Sequence, residues 1–193
     1  RTDEQERDPG QRVWRVVPDV ARPRAPAWVT GKLVHAALAG WRFPGGETFE
    51  RWIEARGRGY GLTDEHQLHD AVGRCRLLLQ RFRAHPLYGE MSSARRRLHE
   101  VPYSLVAGDG RVENGIIDAL YLRDGDHARG AWTIVEFKTD HLAGAAALER
   151  LLAEEDYLAQ AGRYASAVER LLGSRPDVAL CLLDYAGTVL LHR

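Results

Sequence analysis

Hydrophobic residues change their spacing near residue 96 of this chain. Before that point they recur every three or four positions, as on one face of a helix, and after it they alternate with polar residues. Such alternation is typical of strands, in which neighbouring side chains point to opposite faces. We therefore predict an N-terminal helical part followed by a sheet. The predicted helices cover about 30–41, with Thr30 as a candidate cap, 47–57 and 63–84.

The second half of the chain predicts a sheet whose strands are interrupted by one helix. Two alternating stretches flank the turn sequence Gly108-Asp-Gly110, which indicates a β-hairpin. A helix with an apolar stripe then precedes two further strands, and this order of elements predicts an α/β fold. The predicted strands cover about 97–106, 112–122, 132–138, 177–185 and 188–192, a second turn covers 123–130, and the helix covers about 147–172.

Length and cysteine content narrow the class of protein. With 193 residues, of which 45% are hydrophobic, the chain is long enough for one domain with a sizeable core. Its two cysteines, Cys75 and Cys181, are isolated, which argues against a zinc ribbon, an iron–sulfur cluster or a secreted disulfide scaffold. No segment resembles a membrane span or a signal peptide. We therefore expect a cytoplasmic protein.

Proline and charge mark the beginning of the chain. Residues 1–26 are charged and rich in proline, which predicts a linker or an extended arm. The predicted domain covers 27–193, with a helical part over 27–94 and a sheet core over 95–193. Because the sequence begins with Arg1 rather than Met, we expect a piece excised from a longer protein.

Basic and acidic residues are distributed unevenly along the chain. Residues 1–99 hold 18 Lys and Arg against 12 Asp and Glu, whereas residues 100–193 hold 9 against 15. One interpretation is a surface for a polyanion beside a cluster of metal-binding carboxylates, and the other is a scatter of solvated charges. The arginine-rich face of the third predicted helix leaves the same two alternatives. Its candidate DNA-binding residues are Arg74, Arg81 and Arg83.

Charged residues close the apolar strand predicted over 132–138. Glu136 and Lys138 share one face of this strand, and Phe137 lies on the other. Removing an acid and an amine from water is costly, so the pair indicates a site. The chain has only two lysines against 25 arginines. At position 138 it therefore uses a compact charge whose pKa responds to burial, unlike that of arginine.

A second carboxylate comes from Gly115-Ile-Ile-Asp118 in the preceding strand. Pairing of the two strands brings Asp118 beside Glu136, and two close carboxylates repel each other unless a cation lies between them. Oxygen ligands favour Mg²⁺ or Mn²⁺, and a histidine ligand would favour Mn²⁺. Such an ion can polarise a phosphoryl oxygen, with Lys138 orienting the attacking water. The same pattern also arises by chance, so ordinary structural residues remain the alternative.

Five short motifs follow one another at domain-like spacings over roughly residues 28–190. Together they resemble the RecB-like branch of the PD-(D/E)XK nuclease superfamily, and above all the nuclease domain at the C-terminus of UvrD-type helicases of the AddA and RecB kind. Many RecB-like domains have aspartate where this chain has Glu136, and glutamate is the ordinary alternative in the superfamily. The motifs are Gly31-Lys-Leu-Val-His35-Ala-Ala-Leu38, Glu100-Val-Pro-Tyr103, Gly115-Ile-Ile-Asp118, Val135-Glu-Phe-Lys-Thr139 and Gln160-Ala-Gly-Arg-Tyr164.

The resemblance implies a restriction-endonuclease-like core, that is, a central mixed sheet flanked by helices, with a helical elaboration at the N-terminus. It implies a metal-dependent DNA exonuclease acting on single-stranded ends in recombination and repair, fed by a helicase motor in the same chain or in a partner subunit. The implied cofactor is Mg²⁺ or Mn²⁺. The implied metal ligands are His35, Asp118, Glu136 and the Phe137 carbonyl, the implied catalytic lysine is Lys138, and the auxiliary residues are Gln160, Tyr164 and Glu100.

Alternatives remain open for the function and for single residues. One is a stand-alone exonuclease of the phage or CRISPR-associated kind, and another is an inactive nuclease fold kept for DNA binding or assembly. Intact Asp118, Glu136 and Lys138 argue against the inactive fold, which has no chemical reason to hold all three. A lone helical histidine such as His35 is otherwise a core or surface residue, and we interpret Lys32 as a surface residue.

Overall fold

The computed structural model describes residues 24–106, 110–123, 132–154 and 157–192, without the side chains of Glu154 and Leu158. The predicted arm therefore lies outside the described residues as far as residue 23, as do most of the turns predicted at 108–110 and 123–130. In the described ranges the helices are α1 (Ala27–Ala39), α2 (Glu47–Gly59), α3 (Glu65–Ala84), α4 (Pro86–Ser92), α5 (Ala145–Glu154) and α6 (Tyr157–Leu172). The strands are β1 (Arg96–Val106), β2 (Val112–Leu122), β3 (Trp132–Lys138), β4 (Asp177–Tyr185) and β5 (Thr188–His192).

One five-stranded sheet, in the order β1-β2-β3-β4-β5, connects these elements. Its neighbouring strands are antiparallel except for β3 and β4, which run parallel. A parallel pair needs a long crossover connection, which α5 and α6 supply. The prediction of an α/β fold with a mixed sheet flanked by helices is therefore confirmed.

One helix begins earlier than predicted, and one short helix was not predicted. α1 begins directly after Pro26, whose ring restricts φ and which stands at −57°, so Thr30 lies buried within the helix and does not cap it. α4 is too short to show a hydrophobic period in the sequence. Its start is nevertheless defined, because Pro86 occupies the first position and His85 Nδ1 accepts the Leu87 N–H at 3.2 Å.

The helix predicted over 147–172 corresponds to two described helical segments, α5 and α6. α5 and α6 lie on either side of residues 155–156, which are outside the described residues. One apolar stripe runs through the sequences of both segments, which is the pattern that predicted a helix here.

The helices form two layers, one on each face of the sheet. Helices α1 to α4 pack on the first face, and α6 packs on the second. The alternation of β3 sets this division, since Val135 and Phe137 belong to the first layer and Ile134 to the second. Largest among the fully buried side chains of the first layer are Tyr121, Phe82, Phe137, Leu33, Ile53, Leu78 and Leu79.

The hairpin of β1 and β2 changes faces halfway along its length. Ile117 and Leu120 both pack in the layer of α6, although Ala119 between them packs in the opposite layer. Glu100 lies across from Asp118 at this change. Its φ of 49° is in the left-handed region, which costs a non-glycine residue roughly 1–2 kcal/mol. Strain of this kind is commonly found at functional sites.

Gly115 makes room for an aromatic side chain. A Cβ at this position would lie 2.5 Å from the ring of Tyr103, its partner on β1. The Tyr103 ring in turn meets Tyr164 of α6 edge-on, with the ring centroids 5.7 Å apart. The glycine of the Gly115-Ile-Ile-Asp118 motif therefore allows the hairpin and α6 to pack together.

Both cysteines are buried as free thiols in the core. Burial raises the pKa of each, that of Cys75 to about 12. A thiol that stays protonated is a poor nucleophile and a poor metal ligand, so neither residue belongs to a site of this kind. Within the described ranges, no helix combines the length and the apolar character needed to cross a membrane.

Candidate metal centre

Three potential metal ligands from three different elements meet beside the end of β3. They are His35 on α1, Glu100 on β1 and Asp118 on β2, and one ligand atom from each lies within 4.8 Å of the others. His35 Nδ1 is 3.3 Å from Asp118 Oδ1. The sequence predicted the first and the last as ligands and Glu100 as an auxiliary residue, whereas the structure groups all three.

Packing of α1 against the sheet fixes the position of His35. Leu33 and Val34 are fully buried, and a Cβ at Gly31 would lie 3.3 Å from Thr139 Oγ1, just beyond β3. The glycine thus permits a close approach, and His35 follows one turn later on the same side of the helix. Burial opposes protonation of the imidazole, but the hydrogen bond and charge of Asp118 outweigh it and raise the pKa of His35.

Asp118 stands where β2 and β3 separate. Their antiparallel register ends at the pair of Ala119 and Val135. Just beyond this pair, Asp118 Oδ2 accepts the backbone N–H of Phe137 at 2.8 Å, in the place of a strand carbonyl. The other carboxylate oxygen, Oδ1, faces His35. One side chain therefore ties the site to the sheet and still presents an oxygen to the cluster.

Glu136 and Lys138 share one face of β3, as predicted, with Glu136 Oε1 3.4 Å from Lys138 Nζ. Glu136 Oε2 is buried and has no hydrogen-bond partner among the described residues. Burial and the charge of Asp118 raise the pKa of Glu136 to about 7, against the opposing effect of Lys138. Glu136 lies beside the three-residue cluster rather than within it. The ligand role of the Phe137 carbonyl stays a prediction.

Tyr157 contacts Lys138 and was not found from the sequence. Its ring centroid lies 4.7 Å from Lys138 Nζ, a distance at which an aromatic face attracts an ammonium group. Lys138 is thus held between the Glu136 carboxylate and the Tyr157 ring. Helical spacing in the sequence could have identified it, because Tyr157 precedes Gln160 by three residues and therefore lies on the same face of α6.

Gln160 and Tyr164, both predicted to lie beside the site, border a cavity of about 190 Å³ that Glu136 and Tyr157 also line. Gln160 Nε2 donates to the Tyr164 hydroxyl at 2.9 Å. Burial and the charges of Glu136 and Asp118 raise the pKa of Tyr164 to about 12, so its hydroxyl remains a proton donor at neutral pH. Both predicted residues are therefore near Glu136, and their polar groups are already paired with each other.

Two of the three arginines proposed to contact DNA bind a buried carboxylate. Arg74 and Arg81 of α3 both form ion pairs with Asp184 at the end of β4, whose side chain is 2% exposed. His141 approaches the same carboxylate at 2.7 Å. Burial opposes ionisation of Asp184, but the hydrogen bonds from Arg74 and His141 lower its pKa. In the sequence, this network is indicated by Asp184, an acidic residue near the end of the apolar strand 177–185.

Charge reversal at Arg81 is expected to destabilise the fold. Arg81→Glu would leave Asp184 with one cation fewer and a like charge beside it, a change that costs roughly 3–5 kcal/mol for a buried pair. Urea unfolding of the purified protein measures this loss. Arg83→Glu is the matched control, because exposed Arg83 donates to the Pro44 carbonyl and forms no ion pair with a carboxylate among the described residues. Equal unfolding free energies for the two variants would contradict the prediction.

No protein-family model matches this sequence, and no curated protein matches it. Among solved structures, the chain is similar to protein VC1899 from Vibrio cholerae, with a TM-score of 0.31 and 14% sequence identity. The match covers 81% of this chain and 41% of that protein, so this chain spans less than half of its length. A TM-score this low carries no argument about function, which therefore has to be argued from the site.

Proposed function

We propose that this chain is a metal-dependent DNA nuclease domain with a restriction-endonuclease-like core. The observation that carries the proposal is the meeting of His35, Glu100 and Asp118 beside a strand end that holds Glu136 and Lys138. Further support comes from the order of the five sequence motifs, which is similar to that of RecB-like nuclease domains.

The residues present fit a hard divalent cation. Glu136 Oε2 is buried without a hydrogen-bond partner among the described residues, and such an oxygen is normally paired. Burial and the neighbouring Asp118 raise the pKa of both Glu136 and Glu100, so the site is short of positive charge. Carboxylate oxygens suit Mg²⁺, and the imidazole favours Mn²⁺. We propose that His35, Asp118 and Glu136 hold the ion, with Glu100 and the Phe137 carbonyl as further ligands.

The protein side chains have separate roles in the proposed hydrolysis. A bound Mg²⁺ or Mn²⁺ would supply the Lewis acidity that polarises a phosphoryl oxygen and acidifies water. Lys138, held by Glu136 and Tyr157, donates hydrogen bonds that orient the attacking water and neutralise charge developing on the phosphate. Asp118 fixes the end of β3 through the Phe137 N–H, which keeps the reacting groups in position.

The proposed substrate is single-stranded DNA ends, and the proposed reaction is exonucleolytic hydrolysis of phosphodiester bonds in DNA recombination and repair. The proposed partner is a helicase motor, in the same chain or in another subunit, acting in the cytoplasm. These points are supported by the ordered motifs, which are similar to those of nuclease domains attached to such motors.

Hydrolysis of end-labelled single-stranded DNA tests the proposal. We expect the wild-type chain to release labelled products in Mn²⁺ or Mg²⁺ and none in EDTA, and Glu136→Gln to be inactive. Glu169→Gln is the matched control, because this half-exposed carboxylate pairs with Arg175 away from the cluster. Its activity should equal that of the wild type.

Two results would contradict the proposal. Hydrolysis that continues undiminished in EDTA would exclude the metal-dependent reaction. Tight binding of DNA with no hydrolysis in either ion would favour the alternative of an inactive fold used for binding or assembly.

A further inference from the structure

We infer that Trp28 and Lys32 form a platform on α1 that binds single-stranded DNA on its way to the candidate metal centre, by stacking on a base and pairing with a phosphate. The inference rests on the proposed function and deepens it, because it names the surface that receives the strand. It also changes the interpretation of Lys32, which the sequence suggested was an ordinary surface residue.

Trp28 is the most exposed large aromatic residue among those described. Its side chain is 54% exposed on the first turn of α1. An indole is costly to leave in water, and stacking of a nucleobase on it is favourable for any base. A flat, accessible ring of this kind suits a strand whose bases are unpaired.

Lys32 places a positive charge beside this ring. Its Nζ lies 5.1 Å from the centroid of Trp28 and 5.7 Å from that of Tyr60. Within the described ranges, no carboxylate forms an ion pair with Lys32. The two aromatic rings orient the ammonium without neutralising it, so its charge remains available to a phosphate.

Helix geometry aligns the platform with the metal ligands. At 3.6 residues per turn, Trp28 and His35 point in directions only about 20° apart, with their Cα atoms separated by about 10.5 Å along the axis. Gly31 lies between them, at a position where an added Cβ would be 3.3 Å from Thr139 Oγ1, just beyond β3. A strand that stacks on Trp28 therefore needs only a short path along α1 to reach His35 and Asp118.

Other cations are less available to the strand. Arg74 and Arg81 are paired with Asp184, and Arg76 is paired with Glu50. These three arginines of α3 therefore already have carboxylate partners within the fold. Lys32 is a cation that lies on the same helix as His35 and has no such partner among the described residues.

Binding of a fluorescein-labelled homothymidine oligonucleotide to the full chain in Mn²⁺ tests the platform. All variants carry Lys138→Ala as well, so that the oligonucleotide is not hydrolysed during the measurement. Trp28→Ala is expected to raise the Kd by roughly 5- to 150-fold, the range for one stacked base. Trp28→Phe should restore most of the affinity. Lys32→Gln should lower the dependence of log K on log salt by about 0.7, as for one phosphate on a single strand. Leu171→Ala, which removes a 62% exposed apolar side chain from the end of α6, should change neither quantity.

An abasic site moved along the oligonucleotide identifies the stacked base. The protein with Trp28 should bind the oligonucleotide more weakly when the abasic site is at one particular position. The Trp28→Ala variant should show no such position. If the wild-type chain hydrolyses DNA but Trp28→Ala binds as tightly as the parent, the platform is overturned and the nuclease stands. If no DNA is bound or hydrolysed by the wild type, both are overturned.

Discussion

Replacing Lys138 with alanine is expected to lower the rate of DNA hydrolysis by roughly 10²–10³-fold, the effect of removing one donor that acts on the transition state. Metal binding and DNA binding should stay close to those of the wild type, because in the proposed mechanism the ammonium acts on the water and the phosphate rather than on the ion. Single-turnover hydrolysis, Mn²⁺ calorimetry and DNA binding at equilibrium measure the three quantities separately.

Lys138→Arg is the more informative variant at this position. Arginine keeps the charge and is expected to rescue hydrolysis poorly, because a guanidinium is larger and planar and does not fit the space of an ammonium between Glu136 and Tyr157. A cation that only paired with Glu136 would tolerate the exchange. Near-wild-type hydrolysis by the arginine variant would therefore remove Lys138 from the mechanism.

Asp118→Ala is expected to abolish hydrolysis and to weaken Mn²⁺ binding by at least about 100-fold, since even outer partners of ligands are worth 10–100-fold. It also removes the acceptor of the Phe137 N–H, which costs roughly 1–3 kcal/mol of stability. Calorimetry with Mn²⁺ measures the first effect and urea unfolding the second.

A matched control separates the two effects of Asp118→Ala. Thr30→Ala removes a buried polar side chain of α1 that is not one of the proposed ligands, so it should reduce stability without changing Mn²⁺ affinity. Equal Mn²⁺ affinities for the wild type and Asp118→Ala would refute the assignment of Asp118 as a ligand.

The elements of this fold were predictable where hydrophobic spacing is regular. The helix at 63–84 and the strands at 97–106 and 112–122 agree with α3, β1 and β2 within two residues. Such spacing records which side chains are buried, and burial is what forms these elements. α4 was missed because seven residues bring only two buried side chains, Leu87 and Met91, to the core.

The candidate site was predictable in part. Asp118, Glu136 and Lys138 are charged residues at strand ends, a pattern visible in the sequence. Glu100 was harder to place, because its position depends on the left-handed φ at which the hairpin changes faces. Periodicity has no means of showing that change.

The ion pairs of the arginines were the least predictable feature. A helical face with Arg74, Arg81 and Arg83 shows the same spacing whether its partners are phosphates, water or a buried acid. The partner of Arg74 and Arg81 is Asp184, more than 100 residues later in the sequence. Only the tertiary structure brings that carboxylate to the helix.

The hydrogen bond from the Phe137 N–H to Asp118 also bears on how a chain of this fold could lose the proposed activity during evolution. An asparagine at position 118 keeps an oxygen that accepts this N–H. The hydrogen bond between β2 and β3 is then retained, while the negative charge of the carboxylate is lost. A descendant chain could thus lose the proposed hydrolysis in a single exchange and still keep the hydrogen bond between these two strands. Among divergent copies of this domain, we expect asparagine at position 118 in those that keep the fold but lack the proposed activity.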